Sequence, residues 1–391
     1  MSDIATTTDA ELMEGPAFVR GQPLAPLPPP IKEGGAVGWM RKNFFSGVLN
    51  IALTIVCAAL IVWIVPPLIK FLVIDAVWNG SGRADCLQQP GQPEIGACWA
   101  YVFDKISFFT YGFYPIGERW RVDVFFALLT IGVGWMAWLN APRRDICMIY
   151  FFIVLPAASL ILLLGWPPIG LPKVATTQWG GVLVTVVVAS VGIVFSLPIG
   201  IVLALGRRSK MPAVRLFSVM FIEFVRGVPL ITVLFMASVM LPLFVPDTWS
   251  PDKLLRALVG VSLFAAAYMA EVVRAGLQAI PKGQFEGAMA VGLGYWQTMR
   301  FIVLPQALKI TIPNIVNTTI GLFKDTTLVF IVGIFDFLMT VEAGRGDPAW
   351  ATPVTSTTGY AFAAIFYLVF CYGMSRYARF VEARLAAGDR R

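Results

Sequence analysis

Ionised side chains stand inside several long apolar segments of this 391-residue sequence. Charged residues are costly at the centre of a membrane, and segments that keep them usually use them for binding or for pairing with another segment. An arginine can hold a carboxylate with two parallel hydrogen bonds, and an acidic side chain can hold an ammonium group. The chemistry indicated is recognition of charged groups. The candidate residues are Arg226, Glu271, Arg274, Lys324, Asp325 and, for its hydroxyl, Thr326.

Arg226 lies in the sequence FVRGVPL, midway along its apolar segment. Gly227 and Pro229 follow it and predict a break in the helix that frees backbone groups. A guanidinium beside a broken helix is suited to a carboxylate ligand. An ion pair with Glu223, or with an acid on another segment, is an equally good interpretation of the same residue.

The other charged residues also allow two interpretations. Glu271 and Arg274 are about one helical turn apart, so we favour pairing or gating, with contact between Glu271 and a ligand ammonium as the alternative. Lys324 and Asp325 are adjacent and must point in different directions on a helix. Asp325 is expected to meet either Arg226 or a ligand ammonium near the Thr326 hydroxyl, or else to belong to a structural network between segments.

The composition is that of a membrane protein. Hydrophobic residues make up 58% of the chain, charged residues only 14%, and the mean hydropathy is +0.75, whereas soluble domains have about 25% charged residues. The net charge of +7 comes from basic residues scattered between apolar segments, which argues against a nucleic-acid interface. The absence of histidine argues against a zinc site or a catalytic triad. No phosphate-binding G-x-x-x-x-G-K-[ST] motif occurs, so we expect no catalytic, metal or cofactor site in this chain.

Eight apolar segments are long enough to cross a hydrocarbon core of about 30 Å. An even number of spans places both chain ends on the same side of the membrane. The basic clusters next to the spans also fall on that side, which the positive-inside rule identifies as cytosolic. Residues 1–43, which contain APLPPP, are expected to be a flexible cytosolic tail. The expected spans are 45–74, 123–140, 146–166, 180–206, 213–243, 254–280, 308–337 and 357–376.

The longest loop on the opposite side, 75–122, contains Cys86 and Cys98. Two cysteines twelve residues apart in an oxidising compartment favour a disulfide over two free thiols. The same loop is rich in aromatic residues, which predicts that it lies along the membrane interface.

A short polar insert, Pro281 to Pro305, separates two of the spans. Its two prolines are expected to bound one or two short helices. Apolar residues recur at three- and four-residue spacing and predict one stripe along a helix; they are Phe285, Met289, Leu293 and Trp296. A helix of this kind, held between two spans and facing water, is suited to dock into a groove on a soluble partner.

The insert resembles the EAA loop of bacterial ABC importer permeases, in which E-A-A, three residues, Gly, nine residues and I-x-L-P follow one another. The matching residues are Glu286, Gly287, Ala288, Gly292, Ile302, Leu304 and Pro305. Gly287 stands where the pattern usually has alanine, a change that costs a helix about 0.5–1 kcal/mol. The segments WGGVLVTVVVASVGIVFSLPIGIVLALGRRS, FIEFVRGVPLITVLFMA, AAYMAEVVRAGLQAIPKGQFEGA and LFKDTTLV resemble the polar amino-acid permeases, most of all those of general L-amino-acid uptake systems. The resemblance covers about residues 175–385.

This resemblance implies an all-α membrane protein with a five-helix type I permease core over 176–391, preceded by a three-helix extension over 44–175. It implies an inner-membrane heterodimer with a second, unlike permease, and L-amino acids as substrates. It also implies a periplasmic binding protein and an ATPase dimer that carries ATP and magnesium and docks on the 281–305 loop.

Two other classes of function fit parts of the sequence. An ion-coupled secondary amino-acid transporter would use the buried acids and need no ATPase, but the 281–305 pattern and the lack of an inverted repeat argue against it. A membrane scaffold would have no need for charged residues in the middle of its spans.

Overall fold

The protein is described here from a computed structural model covering residues 35–88, 91, 94–138, 142–246 and 251–388, with only the backbone of Arg144, Asp145 and 386–388. Within these residues the chain is helical and forms no β-strand beyond isolated bridges. The contacts divide it into two compact units, the first ending at Ile69 and the second beginning at Lys70. The domain boundary expected near residue 175 stays a prediction.

The helices follow one another with short connections. In chain order they are α1 (Gly35–Phe44), α2 (Val48–Ile69), α3 (Trp99–Tyr111), α4 (Arg119–Ala137), α5 (Arg144–Ile149), α6 (Leu155–Leu164), α7 (Gly181–Arg207), α8 (Pro212–Gly227), α9 (Leu230–Phe235), α10 (Leu241–Phe244), α11 (Lys253–Ala279), α12 (Lys282–Ala290), α13 (Tyr295–Thr298), α14 (Leu304–Asp325), α15 (Phe337–Gly344) and α16 (Pro353–Gly388).

Seven helical segments of the described chain are long and apolar enough to cross a membrane, and a bent pair makes an eighth. The bent pair joins Pro212–Gly227 to Leu230–Phe244 at an angle of 106°. This confirms the all-α fold with about eight spans and the helix break predicted from Gly227 and Pro229. The unbent spans are Val48–Ile74, Ile116–Ala137, Ile146–Leu164, Gly181–Arg207, Lys253–Ala279, Tyr295–Val332 and Pro353–Leu385.

The core of the second unit is built around α11, which packs against α7 on one side and α14 on another. Two glycines allow this close approach. A Cβ on Gly200 of α7 would lie 2.9 Å from the Cβ of Met269, and a Cβ on Gly276 of α11 would lie 2.6 Å from the carbonyl oxygen of Ala307. Small residues of this kind let helix backbones approach within a membrane, where packing rather than the hydrophobic effect holds helices together.

The loop between the first two spans folds onto the core. Cys86 and Cys98 form a disulfide, and the backbone N–H of Cys98 donates to the Thr358 hydroxyl of α16 at 2.9 Å. Two of the aromatic residues of this loop, Tyr101 and Phe109, are fully buried in a cluster with α15 and α16. Their large apolar area stabilises the contact between α3 and the core. The expectation that the loop lies along the membrane interface stays a prediction.

Only the last part of the expected flexible tail can be compared with the structure. Residues 1–34 lie outside the described residues, but the last part of the expected tail forms α1. Val37, Met40 and Phe44 recur at helical spacing and give α1 an apolar face. The helical periodicity of these residues outweighs the loop-like composition of the stretch before them.

Candidate functional site

The polar insert connects α11 directly to α14 through two short helices. Helix α12 ends at Ala290, and the chain reverses at Gly292, whose φ of +80° is a left-handed conformation that suits glycine. The N–H groups of Gly292 and Leu293 donate to the carbonyl oxygens of Met289 and Ala288 at 3.0 and 3.1 Å and close the turn. The insert is expected to form one or two short helices, and the structure has two, with the break at Gly292.

The single apolar stripe predicted along this insert is wrong. Because the chain turns at Gly292, Phe285 and Met289 belong to α12, whereas Trp296 belongs to α13. Phe285 is half-buried in the core, but Met289 and Trp296 remain 63% and 71% exposed. Spacing alone predicted one helix where the structure has two.

The prediction that Pro305 bounds the insert is also wrong. A π-helical turn, Met299–Val303, joins α13 to α14, and the helix continues through Pro305 to Val332. Proline inside a membrane helix is tolerated where a local π-helical adjustment and neighbouring helices satisfy the freed backbone groups. The span that begins at Tyr295 is consequently longer than the expected 308–337.

The motif residues near Pro305 face the protein. Ile302 and Leu304 are half-buried and pack on a cluster that includes Leu203 of α7 and Leu277 of α11. Helix α12 joins the same cluster through Phe285, and Ala288 is buried beneath it. These side chains anchor the insert to the ends of the core helices.

Two polar contacts strengthen the anchoring. The Arg208 guanidinium lies 5.9 Å from the centre of the Phe285 ring and donates to the Leu277 carbonyl oxygen at 3.1 Å. The side chains of Gln284 and Gln306 are joined by a hydrogen bond of 3.1 Å, which ties α12 to α14. Glu286 is exposed on the outside of α12 and is free to meet a partner.

A second group of predicted residues gathers around Glu271 of α11. The Glu271 carboxylate accepts from Arg207 of α7 at 2.8 Å and from Arg274 at 2.8 Å, and a second nitrogen of Arg274 lies 2.7 Å away. Arg226 of α8 reaches the same carboxylate at 3.9 Å. The expected pairing of Glu271 with Arg274 is present in the structure.

Glu223 completes this group, which we call the ion cluster: Arg207, Glu223, Arg226, Glu271 and Arg274. Glu223 pairs with Arg207 at 2.8 Å and its side chain is 55% exposed. Of the two acids considered as partners of Arg226, the one on another span, Glu271, is the one that it meets. The cluster ties α7, α8 and α11 together and holds three positive charges against two negative ones.

Arg226 is the most loosely held member of the ion cluster. It lies near the end of α8, directly before the bend, and its side chain is 36% exposed. The guanidinium sits 5.5 Å from the centre of the Tyr268 ring, within the range of a cation–π contact.

The remaining candidates, Lys324, Asp325 and Thr326, lie elsewhere. A Cβ on Gly192 would contact both Leu322 and Val261, which places this end of α14 beside Val261 of α11. Val261 is ten residues from Glu271, about 15 Å along the helix. Asp325 forms no ion pair with Arg226 among the described residues, and the buried Thr326 hydroxyl donates to the Phe323 carbonyl oxygen at 2.8 Å. The predicted meeting of Asp325 with Arg226 is wrong, because the chain places them at different depths.

Two members of the ion cluster, and Tyr268 beside it, are not among the predicted site residues. Arg207 ends an apolar span, where a basic residue predicts only which side of the membrane is cytosolic. Glu223 lies three residues before Arg226, a spacing that places both on one face of α8. Tyr268 gave no signal, since an aromatic residue in a span is commonly a packing residue.

The arrangement is suited to binding and movement. Glu271 lies eight residues before the end of α11, about 12 Å from it along the helix axis. Within the part of the chain that the structure describes, no three His, Cys, Asp or Glu residues gather as metal ligands. The site offers charged groups inside the spans and, at the end of the same helix, an exposed docking helix.

Comparison with known proteins places these features in a family. Residues 196–387 match the family described as binding-protein-dependent transport system inner membrane component. The chain is 48% identical to the inner membrane amino-acid ABC transporter permease protein YhdY of Escherichia coli, over 93% of this chain and 96% of that protein.

Two further relatives carry names that specify substrates. The chain is 39% identical to the glutamate/glutamine/aspartate/asparagine transport system permease protein BztC of Rhodobacter capsulatus, over 97% of this chain and all of that protein. It is 32% identical to the glutamate/aspartate import permease protein GltK of Escherichia coli, over 53% of this chain and 92% of that protein. The chain belongs to the inner-membrane permeases of amino-acid ABC importers.

Proposed function

We propose that this permease is driven by a separate ATPase that docks on α12, within the 281–305 segment. The observation that carries this proposal is the position of α12, which is exposed at Glu286 and is joined by a short connection to α11 on one side and through α13 to α14 on the other. ATP and magnesium would be bound and used on the partner, since this sequence contains no phosphate-binding motif of the G-x-x-x-x-G-K-[ST] type.

The packing of α12 supports a mechanical role. Phe285, Ile302 and Leu304 hold the insert against the ends of α7 and α11, so a force on α12 reaches the spans rather than bending a loop. ATP-driven closure of the partner would then move the spans between outward-facing and inward-facing states. Such a change requires that the partner bind the two states with different affinity.

The proposed docking of the ATPase on α12 also determines how the chain is oriented in the membrane. The insert, the basic residues that flank it and both termini would face the cytosol, in keeping with the positive-inside rule. A periplasmic binding protein would deliver the amino acid to the opposite face. A second, unlike permease would complete the translocation path as a heterodimer with this chain.

The substrates that we propose are polar L-amino acids. The names of BztC and GltK include glutamate and aspartate, and that of BztC also includes glutamine and asparagine. We take glutamate and glutamine as the first ones to test.

The test is ATP-dependent uptake of labelled L-glutamate and L-glutamine into proteoliposomes that contain the permease, its partner subunits and the binding protein. Glu286→Lys is compared with wild type and with Glu382→Lys, a matched charge reversal at an exposed position of α16. We expect uptake and stimulated ATP hydrolysis to fall together by at least tenfold in Glu286→Lys. Glu382→Lys should match wild type, and all three chains should insert equally.

Unchanged uptake and hydrolysis in Glu286→Lys would remove Glu286 from coupling. Uptake that continues without ATP would overturn the proposal as a whole and favour an ion-coupled secondary transporter.

A further inference from the structure

We infer that Glu223 and Arg226 together bind the zwitterionic head group of the transported amino acid, with the α-carboxylate on Arg226 and the α-ammonium on Glu223. This inference rests on the proposed function, because it assigns a substrate-binding step to the path that ATP hydrolysis would drive. It identifies Glu223, rather than Glu271 or Asp325, as the acid that meets the substrate.

Glu271 already has three close contacts with two arginines. One carboxylate oxygen accepts from Arg207 at 2.8 Å, and the other lies 2.8 and 2.7 Å from two nitrogens of Arg274. Its side chain is only 16% exposed. A substrate ammonium would have to displace an arginine that is held by two contacts, and charge-assisted contacts of this length are among the strong ones. Glu271 therefore organises the cluster.

Glu223 has acceptor positions on its carboxylate that are available to a ligand. Its only ion pair among the described residues joins Oε1 to Arg207 at 2.8 Å, and 55% of the side chain is exposed. A carboxylate has about four acceptor positions on its two oxygens, so Oε2 can accept from an ammonium group without breaking the pair with Arg207. The carboxylate also stays anchored by that pair, which limits the entropy lost on binding.

Arg226 has N–H donors that no close hydrogen-bond partner in the described part of the chain occupies. Its Nη1 lies 3.9 Å from Glu271, well beyond the length of about 2.8 Å of a charge-assisted hydrogen bond. The guanidinium is oriented by the Tyr268 ring at 5.5 Å, a contact that leaves its N–H groups free to donate. A planar guanidinium in this position can hold a carboxylate with two parallel hydrogen bonds.

The two residues have the spacing that an amino acid requires. Glu223 and Arg226 are three residues apart on α8, so both project from the same face with Cβ atoms about 5–6 Å apart. The carboxylate and the ammonium of an α-amino acid are attached to one carbon atom. Two oppositely charged side chains that converge from neighbouring positions of one helix face can contact both groups at once.

The charge of this face argues against contact with lipid. Ionised groups are costly in hydrocarbon, so the partly exposed Glu223 and Arg226 are expected to face water or another chain. The bend between α8 and α9 follows directly after Arg226, so the two residues lie at the end of a helix. The charge sum of the cluster, three positive against two negative, also favours a ligand that brings a carboxylate.

The experiment measures equilibrium binding of labelled L-glutamine and L-glutamate to the complete permease–ATPase complex in lipid nanodiscs, without binding protein and without ATP. Glu223→Gln and Arg226→Gln are compared with wild type and with the surface control Glu382→Gln. We expect each site variant to weaken binding by at least tenfold and the control to leave it unchanged. A competing analogue of glutamine that lacks the α-amino group separates the two contacts.

Wild type should prefer glutamine over the des-amino analogue by at least tenfold, and Glu223→Gln should lose most of that preference while Arg226→Gln weakens both ligands. If Glu223→Gln does not assemble, Glu223→Asp keeps the charge and should reduce the same preference. The inference would be overturned if Glu223→Gln or Glu223→Asp bound the ligands as wild type does. It would also be overturned if the wild-type complex bound neither amino acid. Because no ATP is present, a failure of coupling through Glu286 leaves this measurement unaffected, so the two proposals fail separately.

Discussion

Two glycines of the EAA-like pattern have different physical roles. Gly292 has a φ of +80°, a conformation that side chains with a Cβ adopt only with strain, and it reverses the chain between α12 and α13. Gly287 lies inside α12, where an added Cβ would meet nothing within 4 Å. The first glycine is required by the backbone, and the second only weakens its helix.

The matched pair Gly292→Ala and Gly287→Ala tests this difference. Gly292→Ala is expected to destabilise the insert by about 1–2 kcal/mol and to lower ATP-driven uptake severalfold. Gly287→Ala is expected to stabilise α12 by about 0.5–1 kcal/mol and to leave uptake at or above the wild-type level. Both are measured in the proteoliposome assay, with thermal melting of the purified complex as the stability measurement. Equal effects of the two substitutions would contradict the assigned roles.

Asp336 is a buried acid outside the spans. It caps α15 by accepting the backbone N–H groups of Leu338 and Met339 at 3.0 and 3.1 Å, and its side chain is fully buried. Burial raises the pKa of this carboxyl from its ordinary value of 3.8 to about 6, against the lowering effect of the two backbone hydrogen bonds. An acid whose pKa is higher in the folded protein stabilises the fold at low pH, and that contribution is lost as the pH rises through the folded value.

We therefore predict that the melting temperature of Asp336→Asn, relative to wild type, rises between about pH 4 and 6, the interval between the unfolded and folded pKa values of Asp336. The asparagine oxygen can still cap α15, but it does not ionise. Asp347→Asn is the control. A hydrogen bond from Lys105 lowers the pKa of Asp347, so its contribution is complete throughout that range and its loss should not change with pH. Parallel pH profiles for Asp336→Asn and wild type would show that Asp336 does not titrate there.

At the scale of elements, two features connect the insert and the ion cluster to the spans: the bend between α8 and α9 and the close contact between α11 and α14. The bend of 106° between α8 and α9 directly follows the helix end at which Arg226 lies with its side chain 36% exposed. The contact between α11 and α14 brings the two helices that flank the insert together at Gly276. Movement of α12 therefore reaches a pair of helices that are packed against each other at short range, rather than two independent spans.

Gly276→Val should disrupt that contact, because its Cβ would lie 2.6 Å from both the Ala307 carbonyl oxygen and the Thr311 methyl group. Overpacking of this kind costs about 1–3 kcal/mol or more. Ala275→Val is the matched control, since Ala275 is the preceding residue of α11 and is exposed. We expect a lower melting temperature and reduced uptake for Gly276→Val alone. Equal melting of the two variants would mean that the helices can separate without cost.

At the scale of the whole molecule, the segment after the first span is attached to the end of the core opposite the insert. Besides the hydrogen bond from the Cys98 N–H to Thr358, Lys105 of α3 pairs with Asp347 at 2.6 Å, and the Trp350 indole N–H donates to Asp104 at 2.9 Å. This segment thus contacts α15 and α16 through buried aromatic residues and polar contacts. This attachment restrains the face where we propose that a binding protein delivers its substrate.

Removal of the disulfide should loosen this attachment. Closing a loop of about a dozen residues contributes about 2–3 kcal/mol when the closure is unstrained. The double variant Cys86→Ser with Cys98→Ser is expected to melt at a lower temperature than wild type, and reductant should lower the wild-type value toward that of the variant. Cys57→Ser, at a free cysteine, serves as the control. Insensitivity of the wild type to reductant would contradict a stabilising disulfide.

The sequence by itself determined the class of protein, the approximate number of spans, the presence of the polar insert and the break after Arg226. These features depend on local properties: the length of apolar runs, the conformations open to glycine, and the missing N–H of proline. The same local signals failed where a neighbour intervened, as at Pro305, where a π-helical turn and packing keep the helix continuous.

Only the tertiary structure decided which charged residues meet. Glu271, Arg207 and Glu223 come from three different helices, and their pairing depends on helix rotation and depth, which periodicity does not specify. Asp325 carries the same charge as Glu271 but lies about 15 Å along the bundle from it. Electrostatic partners inside a membrane are chosen by position in space, because an ion gains stabilisation only from groups within a few ångströms of it.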